Sequence, residues 1–586
     1  MIKLFKNLKL KDIIFILISF ALIVFQVYLD LKMPDYMSEI TKLVQTENAE
    51  MSDILLNGFY MLSCAFGSLV SAIVTGYLIS NAAASFSYNV RKKLFNKVED
   101  LAIDEVKRFS TSSLITRTTN DITQIQMFIA MGLQLLIKSP VTAVWAVTKI
   151  LNKSWQWSAL TALAVVILLS VVITLMIVVV PRFKIVQKLT DRLNLITREG
   201  LTGIRVIRAF NATKYQEKKF DKANSDLTNN TMFNQKAFAL MQPVMYLVMY
   251  LLALSIYFVG AQLIDGAILS NKITIFGDMI VFSSYALQVI MSFLMLAIIF
   301  MILPRAQVSA SRINEVLDTD ISIKDPVKPV KKKEVGTVEF KNVSFKYSDA
   351  DENLIEDINL KINKGETVAF IGSTGSGKST LINLVPRFYE ATSGEVLVDG
   401  VNVKDYKQED LHNIIGYVSQ KPVMFNGTVK SNIKYGRNSK REVSDELMME
   451  ALDVAQASSF VKKLENTVDA HIAQGGTNIS GGQKQRLSIA RAVARKPEIY
   501  IFDDSFSALD YKTDSTLRKA LKKYTKDATV LIVAQRIGTI LNADKIVVLD
   551  NGKCVGMGTH KELLKSCKVY KQIATSQLSK EELENE

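Results

Sequence analysis

Thr367-Val-Ala-Phe-Ile-Gly-Ser-Thr-Gly-Ser-Gly-Lys-Ser379 decides the reading of this chain. An apolar run passes into a loop in which Gly372, Gly375 and Gly377 are interleaved with Ser373, Thr374 and Ser376, then into Lys378, Ser379 and Thr380 at the head of a helix-compatible stretch. Glycines there let backbone N–H groups curl around phosphates. Lys378 supplies a cationic donor to the β- and γ-phosphates, and the Ser379 hydroxyl reaches a Mg2+ ion. The following helix adds the positive end of its dipole. Taken alone the loop pattern occurs in unrelated sequences; the strand before it and the helix after it make it a phosphate site.

Outward from the loop, Val338, Phe340, Val343 and Phe345 alternate with polar residues as in a strand. Apolar runs at 414–418, 499–502 and 530–533 alternate with helical sequence, which implies an α/β core with a largely parallel sheet and the loop at the end of its second strand. Ile499-Tyr-Ile-Phe-Asp-Asp504 reads as a buried strand ending in two carboxylates. Asp503 is delivered to the metal, and Asp504 stands where a water-activating base belongs. Between the two elements lies Ile479-Ser-Gly-Gly-Gln-Lys-Gln-Arg486, small residues leading into an amphipathic helix and hence a second phosphate-binding end; in isolation Ser-Gly-Gly is a turn.

The N-terminal half reads differently. Of the 586 residues 49% are hydrophobic and 22% charged, and the two populations separate along the chain. Apolar stretches at 13–31, 54–80, 127–151, 158–180, 238–264 and 275–303 each approach or exceed the length a helix needs to cross a bilayer. Lys3, Lys6, Lys9 and Lys11 precede the first, which reads as a retained span rather than a cleaved leader. The next loop sets Asp35, Glu39, Glu47, Glu50 and Asp53 against Lys32 and Lys42, so the N-terminus is expected inside. Arg91, Lys92, Lys93, Lys97, Lys107, Arg108 and Arg117 follow the second span, and Arg182, Lys184, Lys188, Arg192 and Arg198 the fourth, so both long segments are expected in the cytoplasm. The short connections at 152–157 and 265–274 are then outer, with Trp155 and Trp157 at the interface. The net charge of +14 is assigned to these loops rather than to nucleic-acid binding.

Helix-compatible stretches at 121–128 and 205–226 leave two readings. They are solvated helical loops, or the spans continue as helices into the cytoplasm and offer short surfaces to the second half. The last two spans carry Met241, Met245, Met249, Met279, Met291, Met295 and Met301, with Phe282, Tyr285, Gln288, Phe293 and Phe300 between them. A promiscuous apolar pocket lined by Met279, Phe282, Gln288, Met291 and Met295 is one reading; ordinary helix packing is the other. No span is expected to hold a buried Asp/Lys pair of the ion-relay kind, Asp278 being the one acid deep enough to consider. Cys64, Cys554 and Cys567 lie far apart with only His412, His471 and His560 to assist them, which argues against a disulfide framework or a zinc site. A Pro- and Lys-rich joint at 324–335 marks the domain boundary.

Together these motifs resemble the ATP-binding cassette (ABC) exporters, specifically bacterial half-transporters of the multidrug type, over nearly the whole chain. Residues 372–379 resemble the Walker A loop and 499–503 the Walker B strand. Ser480, Gly481, Gly482 and Gln483 resemble the signature motif, with Ile479 replacing the usual Leu. Tyr347 matches the aromatic that stacks on adenine, Gln420 the Q-loop, Ser507-Ala-Leu-Asp510 the D-loop, and Pro304-Arg-Ala with Arg312-Ile-Asn-Glu-Val the exit from the sixth span. The resemblance implies an all-α six-helix transmembrane domain (1–320), a linker (321–336) and an α/β P-loop nucleotide-binding domain (337–586), in a multi-pass plasma-membrane protein with both termini cytoplasmic. It implies ATP and Mg2+, the metal held by Ser379, Gln420 and Asp503, and a second chain whose signature motif closes over the ATP. Its further partners are then the lipid bilayer and a small apolar or amphipathic substrate.

Three residues depart from that pattern. The usual catalytic Glu is Asp504, one methylene shorter; the switch His is Gln535; and a Glu common ahead of the signature is Gln474. Positioning and charge stabilisation supply most of the catalysis in phosphoryl transfer, so this site is expected to hold ATP and cleave it slowly, in a heterodimer. Export of a peptide or a lipid is the alternative, and an ATP-regulated channel or sensor a more distant one, since only a short helix and the acidic end 581–586 follow His560.

Overall fold

The computed structural model describes residues 1–46, 50–151, 155–436 and 442–578. Glu47, Asn152 and the acidic end lie outside the described residues, as do the side chains of Lys184, Phe300 and Met301. Contacts divide the chain into two compact units, 1–99 with 110–319 and 100–109 with 320–586. Segment 100–109, expected with the membrane half, thus groups with the C-terminal unit.

Among the described residues six long helical runs build the first unit: Leu10–Gln45, Met51–Glu99, 111–151, Trp155–Thr202, Thr213–Asp265 and Leu269–Leu317. Each carries a window long and apolar enough to cross a membrane. Met51–Glu99 has 49 residues, so at 1.5 Å per residue it is about 74 Å long, more than twice a hydrocarbon core of about 30 Å. The apolar spans are therefore parts of longer helices, as the second reading of the cytoplasmic stretches supposed. Two interruptions qualify it. The third run contains π-helical turns at Arg117–Asp121 and Phe128–Gly132. The stretch 205–226 is broken after Ile204–Ala209, where Asn211 takes a positive φ of 53° before the chain resumes at Thr213.

Tertiary packing corrects one expectation in this unit and bears on another. Met279 and Phe282 do not line an open surface. Phe282 is fully buried with its ring 5.3 Å from that of Trp157, and Met279 is buried against Gly260, where a Cβ would collide with its sulfur. Of the remaining residues expected to meet substrate, Gln288 and Met295 are half-buried and Met291 exposed. A shallow groove of about 420 Å³ lies elsewhere, along Pro140, Val141, Val144, Trp145 and Thr148 of the third run. The other concerns charge. Asp30 of the first helix meets Lys138 of the third run at 3.4 Å and accepts from Ser68 at 2.5 Å, both ionic side chains about three-quarters covered. Asp35 accepts from Lys149 at 2.9 Å and from the buried Tyr285 hydroxyl at 2.6 Å. Spans one and three therefore carry one acid–lysine pair, Asp30 with Lys138, half-buried rather than buried, which only the packing of two helices creates; Asp35 lies beyond the first span.

Among the described residues of the C-terminal unit the strands are β1 Val338–Phe345, β2 Ile355–Ile362, β3 Thr367–Gly372, β4 Ser393–Val398, β5 Val401–Asn402, β6 Ile415–Val418, β7 Gly427–Thr428, β8 His471–Ile472, β9 Ile499–Asp503, β10 Thr529–Val533, β11 Lys545–Asp550 and β12 Lys553–Gly558. The main sheet has the order β12-β11-β3-β10-β9-β6, parallel except for the edge strand β12. An antiparallel sheet β2-β1-β4-β5 packs as a second layer. Every residue of β9 and β10 is buried, the pattern of central parallel strands covered on both faces. The phosphate loop follows the third strand rather than the second, because β2 intervenes and pairs antiparallel with β1.

Candidate functional site

The adjacent central strands β3, β10 and β9 end together, and the switch in chain direction there opens the crevice in which open α/β sheets bind ligands. From β3 emerges the glycine loop. Gly375 sits at φ 86° and Gly377 at φ 90°, left-handed backbone that side chains other than glycine rarely adopt; a Cβ on Gly377 would also press on Ile355 at 3.0 Å. Lys378 opens the helix Lys378–Asn383 and folds back into the loop, donating to the carbonyls of Gly372 at 2.9 Å and Ser373 at 2.6 Å and to the Ser376 hydroxyl at 3.3 Å. Burial pushes its ammonium pKa down. Among the described residues no carboxylate forms an ion pair with this buried cation. The loop is thus a preorganised cationic cradle short of its counter-anion, and a polyphosphate fits it.

β9 delivers the acids. Asp503 accepts from the Ser379 hydroxyl at 2.7 Å and from Tyr417 of β6. Burial raises the Asp503 pKa, the Ser379 hydrogen bond opposes the rise, and the neighbouring Asp504 charge adds to it. Asp504 is buried at φ 45°, an αL position that Asp tolerates better than most residues. Its Oδ2 accepts from two amides, Gln535 at 2.8 Å and Gln420 at 3.2 Å, and burial raises its pKa as well. Beside it a cavity of about 10 Å³ is lined by Asp504, Ser507, Val533, Gln535 and Arg536 among others, at the lower limit for one water.

Tyr347 hydrogen-bonds Thr380 through its hydroxyl at 2.9 Å and stands edge-on to Phe345 and Tyr389 with centroids 4.9 and 5.5 Å away. Lys107, from the segment that groups with this unit, donates to the Tyr389 hydroxyl at 2.8 Å and lies 5.4 Å from the Tyr347 ring centroid. In the sequence Lys107 reads only as a loop charge and Tyr389 and Tyr417 carry no signal, because each gains its role from a partner far along the chain. Ser480 N-caps the helix Gly481–Val493 through a reciprocal box with Gln483. Ser480 and Gly481 are exposed and Gly482 half-buried, so the positive end of that helix faces solvent. Asp510 caps the helix Tyr511–Tyr524 through Thr513 N–H at 2.9 Å. Gln474 lies in the turn Gln474–Gly476 and is exposed. The structure therefore gathers Tyr347, residues 372–380, Gln420, Asp503, Asp504 and Gln535 into one linked set of contacts, while the end at Ser480 lies outside that set and is exposed.

Family comparison agrees with this geometry. Residues 15–293 match the model of the ABC transporter transmembrane region and residues 355–507 that of the ABC transporter cassette. An ABC transporter ATP-binding protein of Mycobacterium tuberculosis is 38% identical over 91% of this chain and 92% of its own. A Staphylococcus aureus protein whose name carries the words multidrug export ATP-binding/permease protein is 35% identical over 86% of each chain. The solved structure of a bacterial Atm1-family ABC exporter with ATP bound superposes with a TM-score of 0.77 over 98% of this chain and 99% of that one, at 22% identity, a likeness of fold. The chain belongs to the ABC transporter family, as an exporter half-transporter whose six membrane helices precede an ATP-binding cassette with transport ATPase function.

Proposed function

We propose that this chain is one half of a heterodimeric plasma-membrane exporter of apolar or amphipathic compounds, and that its own nucleotide site holds ATP and Mg2+ but cleaves ATP slowly. In this reading residues 1–320 form the membrane domain, 321–336 the linker and 337–586 the cassette, with both termini in the cytoplasm. The observation that carries it is the double amide clamp on Asp504. The Oδ2 oxygen already accepts from Gln420 and Gln535 and so competes poorly for a water's proton, and neither amide can take or give a proton. Lys378 and the loop N–H groups still bind phosphate; Ser379 and Asp503 offer an oxygen pair to Mg2+, with Gln420 beside them, and the ion when bound neutralises phosphate charge. Binding and cleavage are thereby separated.

A partner chain is supported by a second observation. The tip around Ile204–Ala209 exposes Leu201, Val206, Tyr215 and Phe210, the last 80% accessible, whereas the tip at 100–109 groups with this chain's own cassette. Such apolar side chains outside the membrane need a cover. The cassette in turn exposes Val423, Phe425 and Tyr435. Reciprocal exchange of tips between two chains covers both surfaces, and the exposed Ser480 end then meets the partner's ATP.

The test is ATP turnover by the purified chain alone in lipid. We expect far less than about 1 per second, the low end for enzymes, with undiminished binding of a fluorescent ATP analogue and recovery of turnover once a partner with an intact site is added. Enzyme-like turnover by the lone chain rejects the heterodimer. Export of a lipid or peptide is the second reading, favoured by the Asp30–Lys138 pair inside the spans; stimulation of the assembled ATPase by charged headgroup compounds and not by apolar dyes would select it.

A further inference from the structure

The joint leading into the cassette is strapped down at two places. Upstream, Arg387 donates to the Lys324 carbonyl at 3.0 Å and Gln408 N–H to the Asp325 carboxylate at 2.9 Å. Downstream, Lys333 and Glu334 each donate their N–H to the Asp399 carbonyl at 3.0 Å, and Val330 donates to that of Asp405 at 3.0 Å. Asp399 and Gly400 form the two-residue turn between β4 and β5, both at positive φ, as the twist of a tight hairpin demands.

The Asp399 side chain is fully buried. Its Oδ1 accepts from Thr337 N–H at 3.0 Å, but its Oδ2 meets no hydrogen-bond donor, and neither does Oε2 of Glu498. The two carboxyl groups are in contact with each other. Lys332 of the joint reaches Glu498 Oε1 at 2.5 Å and Asp399 Oδ2 at only 4.0 Å. The other polar groups around the pair are spoken for: Tyr406 donates to the Val398 carbonyl at 3.1 Å, and Glu334 accepts from the Thr337 hydroxyl at 2.7 Å. Asp410, which faces Tyr406, adds negative charge. Two touching carboxyl groups, each with a buried oxygen that no donor meets and with one ammonium between them, repel unless Asp399 is protonated.

We propose that Asp399 carries a proton that it donates to Glu498, and that this hydrogen bond together with Lys332 clasps residues 330–336 of the linker onto the cassette. The clasp is therefore proton-dependent, and Glu498 places it at the root of β9, the strand that carries Asp503 at its other end. Burial raises the Asp399 pKa to about 6 from an ordinary 3.8. The closed clasp binds the proton more tightly than the open one. Closure is strongest below the ordinary value, weakens as pH rises between the two values, and is weakest above the higher one.

Hydrogen exchange on the purified full-length chain tests this. Corrected for intrinsic rates, protection of the Val330, Lys333 and Glu334 amides should fall about tenfold between pH 5 and pH 8, while the Gln408 amide, bound to Asp325 upstream, holds steady. Glu498→Gln offers Asp399 a permanent amide donor, so its protection should be high and flat across the same range. A flat profile in the unaltered chain overturns the proposal, as does an unchanged slope in E498Q or a slope at Gln408 equal to that at Lys333. The unaltered chain provides its own internal control, so the outcome does not depend on the variant folding.

Discussion

In the proposed reading, Asp504 and Lys378 carry the separation between holding ATP and cleaving it. Asp504 lies at the end of a fully buried strand, its Oδ2 tied to Gln535 and Gln420. Replacing it by Glu extends the carboxylate by one methylene beyond the clamp, and replacing Gln535 by His restores a group able to carry a proton. The double variant Asp504→Glu/Gln535→His should raise ATP turnover of the assembled transporter by roughly tenfold to a hundredfold, within the range of general acid–base groups; steady-state phosphate release reads it, and no increase would mean the site is limited elsewhere. Lys378 acts earlier, in binding. Lys378→Ala removes the one buried ammonium of the loop, so ATP affinity should weaken by roughly tenfold to a hundredfold, equivalent to about 1.5–3 kcal/mol for a charge-assisted hydrogen bond. Titration with a fluorescent ATP analogue checks it.

Among elements, the helical unit shows how tightly its long helices depend on single contacts. Gly260 of the helix Thr213–Asp265 lets Met279 of the helix Leu269–Leu317 pass at close range beneath Trp157. Gly260→Ala should cost about 1–3 kcal/mol by overpacking, and Met279→Ala in the same chain should return part of it, a coupling that thermal unfolding in detergent would reveal as non-additivity. The π-helical turn Arg117–Asp121 has a different partner. Arg117 bonds the Arg312 carbonyl at 2.7 Å and Glu315 at 2.8 Å, and Asp121 accepts from Ser309 at 2.9 Å and faces Arg312 at 3.4 Å. The Arg312-Ile-Asn-Glu-Val stretch thus finds its use as the clamp between the third run and the end of the last helix. Asp121 is buried but its partner Arg312 is partly exposed, so Asp121→Ala should destabilise the unit by less than the about 3–5 kcal/mol of breaking a fully buried pair, with a matching fall in the unfolding midpoint.

For the assembled molecule, the exposed tip sets the expectation. A photo-crosslinking residue at Phe210 should join this chain to a second polypeptide, and on mapping, to that polypeptide's cassette near its counterparts of Val423 and Phe425. Adducts confined to a single chain would remove the reciprocal-tip arrangement. Phe210→Ser should leave ATP-analogue binding intact and uncouple substrate export from hydrolysis, because it alters a surface of the helical unit and not the phosphate loop.

Local pattern carried a large part of the fold and of the site. Six apolar runs, the glycine loop with Lys378 and Ser379, and the acid-terminated strand all declare themselves within a few residues, because bilayer thickness and phosphate geometry impose a spacing on contiguous sequence. What contiguous sequence could not reveal is which distant groups meet. Asp30 and Lys138, the amide clamp on Asp504, Lys107 beside Tyr347, and the carboxyl pair of Asp399 and Glu498 each join residues separated by tens to hundreds of positions, and β2 escaped notice until its pairing with β1 was seen. The same holds for Met279 and Phe282, whose apolar character is equally suited to a substrate wall or a helix core. Their burial beside Gly260 and Trp157 decided between the two, since a side chain's composition fixes what it can bind but only its neighbours fix whether anything can reach it.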